Sequence, residues 1–109
     1  MKRARKLIST FAKADLSDAS QWYENQQKGL GKRFLNEVKI GFDIICRNPR
    51  SFQIRYDDCR IYFTKIFPYG IHYQYIAKKN EVHIKAVFHT SRNPQLWKQR
   101  NFEASLRIV

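Results

Sequence analysis

Residues 60–92, RIYFTKIFPYGIHYQYIAKKNEVHIKAVFHTSR, read as three consecutive antiparallel strands, and that reading decides the fold. Ile61, Tyr62, Phe63 and Ile66 fall in the first, Ile71, Tyr73, Tyr75 and Ile76 in the second, and Val82, Ile84, Ala86, Val87 and Phe88 in the third. Aromatic and β-branched side chains suit a pleated, half-buried surface. Phe67-Pro68-Tyr69-Gly70 and Lys78-Lys79-Asn80 separate the three runs and have the composition of turns. In the third run, alternation places Val82, Ile84, Ala86 and Phe88 on one face, and His83, Lys85 and His89 with Val87 on the other. One side of the sheet is therefore expected to be buried, and the other to carry basic and imidazole groups.

The flanking segments look built to cover the buried side. Residues 50–59 form a connector with an extended middle, Phe52 to Tyr56, closed by an Asp57-Asp58 turn. Before it, Phe34, Val38, Phe42 and Ile45 recur at helical spacing over 32–46, with Leu35 beside them and Cys46 as a small core residue. Asn48-Pro49 ends that helix. Lys28-Gly29-Leu30-Gly31 separates it from an earlier helix over 16–27, capped by Asp15 and carrying Leu16, Ala19, Trp22 and Tyr23 as core positions. So short a connection makes the two helices an antiparallel hairpin. Lys6 to Phe11 reads as a short first strand, and Asn93-Pro94 opens a last helix containing Leu96, Trp97 and Arg100. The fold class is α+β: an N-terminal strand, an α–α hairpin packed on a mostly antiparallel sheet in the order β-α-α-β-β-β, and a short C-terminal helix. Residues 1–109 form one domain.

Charge narrows the function. A net charge of +12 attracts polyanions, whether nucleic acid, anionic membrane or an acidic protein, although a merely soluble basic domain would look the same. Two cysteines make neither a disulfide framework nor a zinc site. No apolar run approaches the roughly 18–20 residues that span a bilayer, and the apolar stretch after Lys2-Arg3-Ala4-Arg5-Lys6 is too short for a signal-peptide core, so a cytoplasmic protein with no membrane partner is expected. Gly29-x-Gly31 lies between helices and is no dinucleotide loop. His72, His83 and His89 all belong to the sheet without nearby acids or thiols, so neither a metal nor a cofactor is expected. Phosphodiester chemistry needs a base, a cation for the charged transition state and an acid. His83 and His89 with Lys85 between them and Arg92 just beyond offer such groups, against the alternative of a solvated polar face.

Further pieces of the chain carry a resemblance. They are Ala14-Asp15-Leu16, Trp22-Tyr23-Glu24-x-Gln26, Gly29-Leu30-Gly31-x-x-Phe34-x-x-Glu37, Asn48-Pro49, Phe67-Pro68-Tyr69-Gly70-Ile71-x-Tyr73 and Val87-Phe88-His89-x-x-Arg92-x-Pro94-x-x-Trp97. In this order, over nearly the whole chain, they resemble the RelE/ParE superfamily of type II toxin–antitoxin toxins, in its ParE-like branch of plasmid stabilisation proteins. The resemblance implies a toxin blocked by an acidic, partly disordered antitoxin that also sets the oligomeric state. Charge complementarity would then help offset the entropy of ordering that partner.

Activity in the superfamily divides between ribosome-dependent mRNA cleavage and action on DNA gyrase. The arginine that RelE-type nucleases carry after the tyrosine of the second meander strand would fall at Gly70, and their C-terminal tyrosine near Trp97-Lys98. Their later arginine is retained as Arg92, and of their lysine pair only Arg60 stands in the first meander strand. The resemblance therefore ranks a growth-inhibiting toxin that binds gyrase first. An mRNA interferase using His89, Arg92 and Arg60 is the alternative, and a non-toxic basic binding module comes third. Arg60, Lys65, Lys85, His89, Arg92 and Arg100 are the expected target- or phosphate-contacting groups, and Lys32, Lys39, Ile40 and Ile44 the expected antitoxin-binding ones.

Overall fold

Two helices lie on one face of a five-stranded sheet in a computed structural model that describes residues 2–91, 94 and 97. The elements are β1 (Arg5–Ile8), α1 (Thr10–Gln26), α2 (Leu30–Arg47), β2 (Ile54–Tyr56), β3 (Cys59–Phe63), β4 (Tyr69–Ile76) and β5 (Glu81–His89), with a 3₁₀ turn at Ala77–Lys79. The strand order is β1-β5-β4-β3-β2. Only β1 runs parallel to its neighbour: Arg5 stands opposite Glu81 and Ile8 opposite Ile84, while β5, β4, β3 and β2 form an antiparallel meander. The α+β class and the order of strand, helical hairpin and meander match the sequence reading, and the extended middle of the 50–59 connector adds one more strand, β2, paired with β3. The expected C-terminal helix lies outside the described residues, apart from Pro94 and Trp97.

The apolar stripe of α2 supplies the core, with Phe34, Val38, Phe42, Ile45 and Cys46 packed against Tyr62, Ile71, Tyr73, Val82, Ile84 and Val87 of the sheet. Tyr23, Phe34, Phe67 and Tyr69 add an aromatic cluster with ring centroids 4.8–6.2 Å apart, a spacing that favours edge-to-face contact. Gly29 takes a φ of +90° at the helix–helix turn, a conformation that strains any side chain. Asp57 and Asp58 both have positive φ, which gives the β2–β3 hairpin the primed turn that strand twist prefers.

Three local expectations are corrected. First, α1 begins at Thr10 rather than Leu16, because Ser9 is the cap and accepts the Ala12 N–H at 3.0 Å. Asp15 sits within the helix, where its carboxylate accepts the Val87 N–H at 3.0 Å. The β1 strand ends opposite Ile84, so this carboxylate occupies the edge of β5 beyond it. Second, the alternation in β5 is broken. Tyr73 pairs with Ile84 but His72 with Ala86, leaving Lys85 as an inserted residue, a β-bulge. Val87 therefore joins Val82 and Ile84 in the core, and Phe88 turns to the opposite face against His72. Third, only Tyr23 of the Trp22-Tyr23 pair packs into the core; Trp22 is 58% exposed with an edge contact to Tyr23.

Candidate functional site

Most of the acids in this basic chain are spent inside the fold. Asp15 holds β5 as described. Glu24 accepts the N–H groups of Gly29 and Gly31 at the helix turn, and Glu37 those of Ile66 and Phe67 at 2.9–3.2 Å. Asp43 pairs with Arg3 and Arg47, and Glu81 with Arg5 and His83. Five of the nine acids are thus engaged in structure, which leaves the positive charge to dominate the surface. No group of three His, Cys, Asp or Glu converges among the described residues, and no helix among them is long and apolar enough to cross a membrane.

The sheet face away from the helices carries the chemistry that the sequence reading missed. The Tyr56 hydroxyl lies 2.7 Å from Nδ1 of His72. Phe88 and Trp97 stack edge-on to the imidazole at 5.1 and 4.8 Å. Burial lowers the His72 pKa to about 4, so the ring is neutral at pH 7. Burial likewise raises the Tyr56 hydroxyl, and it pushes the Cys59 thiol, bonded to Tyr56 and Gln74, up to about 11. Lys85, the bulge residue, is 2% exposed, and burial lowers its pKa while the neighbouring Cys59 raises it. On the same face lies Gly70. A side chain there would place its Cβ 2.9 Å from Ile61 Cγ2 and 3.4 Å from Phe63 Cε1. Ile61 therefore crowds the space that a Cβ at this position would take, while Phe63, 46% exposed, lies alongside at contact distance.

The expected phosphate-contacting residues are dispersed. Arg60 points to the helix side, where its guanidinium donates to the carbonyls of Phe52 at 2.6 Å and Arg50 at 3.3 Å. His89 stands opposite Tyr69, four residues along β4 from the Tyr73 that faces Arg60, a separation of about 13 Å. Its Nδ1 accepts the Ser91 N–H at 3.1 Å and meets the Ser91 hydroxyl at 2.7 Å. A cavity of about 200 Å³ beside it is lined by Asp15, Asp18, Ala19, Tyr69 and Val87. Lys65 is exposed in the β3–β4 loop, and Lys85 is buried. Arg92 and Arg100 lie outside the described residues.

Of the residues expected to meet an antitoxin, two come together. Lys39 and Ile40 line a groove of about 510 Å³ with Asn36, Asp43 and, from the N-terminal segment, Arg3 and Lys6. Ile40 is 60% exposed. Ile44 instead leans on the core, and Lys32 lines a separate recess with Glu24 and Leu35. The contribution of Arg3 and Lys6 was visible only as a basic start to the chain. Their place beside α2 follows from the pairing of β1 and from the Ala4 N–H, which donates to the Cys46 carbonyl at 2.9 Å.

The family described as ParE toxin of type II toxin-antitoxin system, parDE, matches residues 7–94. No curated protein matches the chain.

Proposed function

Because the chain belongs to the ParE toxin family of type II toxin–antitoxin systems, we propose that it arrests growth by binding a protein target, DNA gyrase, and that an acidic antitoxin neutralises it. The observation that supports the binding reading is the crowding at Gly70, where a Cβ would meet Ile61 Cγ2 at 2.9 Å, so the position that the resemblance gives to a nuclease arginine admits a side chain only if Ile61 shifts. A ribosome-dependent nuclease would also need cations gathered around a phosphodiester. Here Arg60 is committed to backbone carbonyls and Lys85 is buried, while His89 sits well apart from Arg60. Cleaved DNA and an SOS response on induction, with intact transcripts, are the expected result. Codon-linked cuts in transcripts would refute the reading.

The groove between α2 and the N-terminal segment supports the neutralisation half. Arg3, Lys6 and Lys39 line this groove with the exposed Ile40 and outnumber its one acid, Asp43, which suits an acidic peptide with one apolar anchor. Antitoxin affinity should fall with added salt and with Ile40→Asp, while folding is kept. A complex that leaves α2 uncovered would overturn this half.

A further inference from the structure

The tip of the β3–β4 hairpin presents an exposed apolar side chain on a backbone tied down by hydrogen bonds, a combination that needs a reason. Ile66 is 72% exposed, the most exposed large hydrophobic side chain among the described residues. Its backbone is nevertheless fastened on both sides. The Glu37 carboxylate accepts the N–H groups of Ile66 and Phe67. The Thr64 hydroxyl bonds the Phe67 carbonyl, and the Thr64 N–H donates to the Tyr69 carbonyl at 2.9 Å. Phe67 itself is buried between Tyr23 and Phe34. A side chain so presented has already lost the backbone freedom that docking would otherwise cost.

A second exposed apolar side chain, Phe63, stands three residues before Ile66 at the end of β3. Phe63 lies over Gly70 on the face away from the helices, and the Arg55 guanidinium stands 5.6 Å from its ring centroid. Lys65 is exposed beside Ile66. Each of the two exposed apolar side chains thus has a cation of its own, Arg55 at Phe63 and Lys65 next to Ile66 in the loop, on a chain of net charge +12. We infer that Phe63 and Ile66, flanked by Arg55 and Lys65, form the surface that grips the growth-arrest target, an apolar pocket with an acidic rim on a protein.

A nucleic acid fits this surface less well. Ile66, the more exposed of the two anchors, has no ring for a base to stack on. The acidic antitoxin is given the α2 groove by its own basic lining, so one chain holds two separate polyanion-seeking surfaces. The inference rests on the binding reading above but not on gyrase being the target.

The test compares wild type, Ile66→Asp, Lys65→Glu and a control, Ile54→Asp, which puts the same charge on an exposed isoleucine of β2 outside the surface. Growth arrest on induction, affinity for purified gyrase, affinity for RNA and duplex DNA oligonucleotides, thermal stability and oligomeric state are measured. Ile66→Asp should abolish arrest and weaken gyrase binding about 30-fold or more. Lys65→Glu should weaken it less and lower its salt dependence, and the control should behave as wild type. If wild type fails to bind gyrase and Ile66→Asp still abolishes arrest, the gyrase assignment falls and the docking surface stands. Unchanged arrest in a folded Ile66→Asp protein overturns the surface. So does a defect confined to oligonucleotide binding, or one explained by splitting a wild-type dimer.

Discussion

The Tyr56 hydroxyl and Nδ1 of His72 meet at 2.7 Å, joining β2 to β4 across the intervening β3. Burial among Tyr56, Phe88 and Trp97 lowers the His72 pKa from 6.5 to about 4. The folded value lies below the unfolded one, so between them the unfolded chain binds more protons. Stability is complete above pH 6.5 and declines as pH falls toward 4, by about 3 kcal/mol in all. Urea denaturation across that window should show the decline, and His72→Gln should flatten its slope. Glu81, whose carboxyl is held down by hydrogen bonds from His83 and Arg5, adds its own loss only below its ordinary value of 4.5.

Phe34→Ala should cost about 3–5 kcal/mol in chemical denaturation, the usual effect of deleting a buried phenylalanine. The ring is fully buried between Tyr23, Phe67 and Tyr69. A change below about 1 kcal/mol would mean that the cluster is not the helix–sheet junction described above.

Glu37→Gln keeps the shape of the side chain and removes the charge that the Ile66 and Phe67 N–H groups donate to. A loss of about 1–2 kcal/mol is expected. Hydrogen exchange at the two amides should speed up more than exchange in β4, since the substitution loosens the loop rather than the sheet.

Gly70→Arg installs the residue that the resemblance to RelE-type nucleases would place here, but Ile61 must move to admit even its Cβ. Overpacking of this kind should cost about 1–3 kcal/mol. Transcripts should stay uncut after induction of the variant. New codon-linked cleavage would show that the face yields more easily than its packing implies.

His89→Gln separates a binding residue from a general acid or base. An acid/base histidine would lose about 10²–10⁴-fold in rate, whereas growth arrest in this variant should weaken by less than about tenfold. Gln can still accept the Ser91 N–H that His89 Nδ1 now accepts.

Residues 60–92 disclosed the meander because their turns and β-branched runs are local signals. The stripe of Phe34, Val38, Phe42 and Ile45 disclosed the helix face in the same way. The bulge at Lys85 was not legible. Ala86, Val87 and Phe88 are all apolar, so a one-residue slip in alternation leaves no mark on the pattern. Asp15 looked like a cap because the Val87 amide it serves lies 72 residues away in sequence. The Tyr56–His72 contact depends in the same way on strand register, and the crowding around Gly70 depends on where Ile61 and Phe63 stand. Surfaces made by one strand or one helix were readable, whereas those made by register and by long-range pairing were not.

The pairing of β1 with β5 also has a consequence in time. Arg5 finds Glu81, and the Ser9 hydroxyl finds the Lys85 carbonyl, only after 76 further residues have been made. At about 5–20 residues per second, synthesis leaves the first strand without its neighbour for roughly 4–15 s. The helical hairpin rests on contacts between neighbouring segments, while β1 must wait for β5, the last strand among the described residues. The β3–β4 hairpin emerges shortly before that closure. A nascent chain that has not yet yielded β5 therefore holds β1 without the one strand it pairs with.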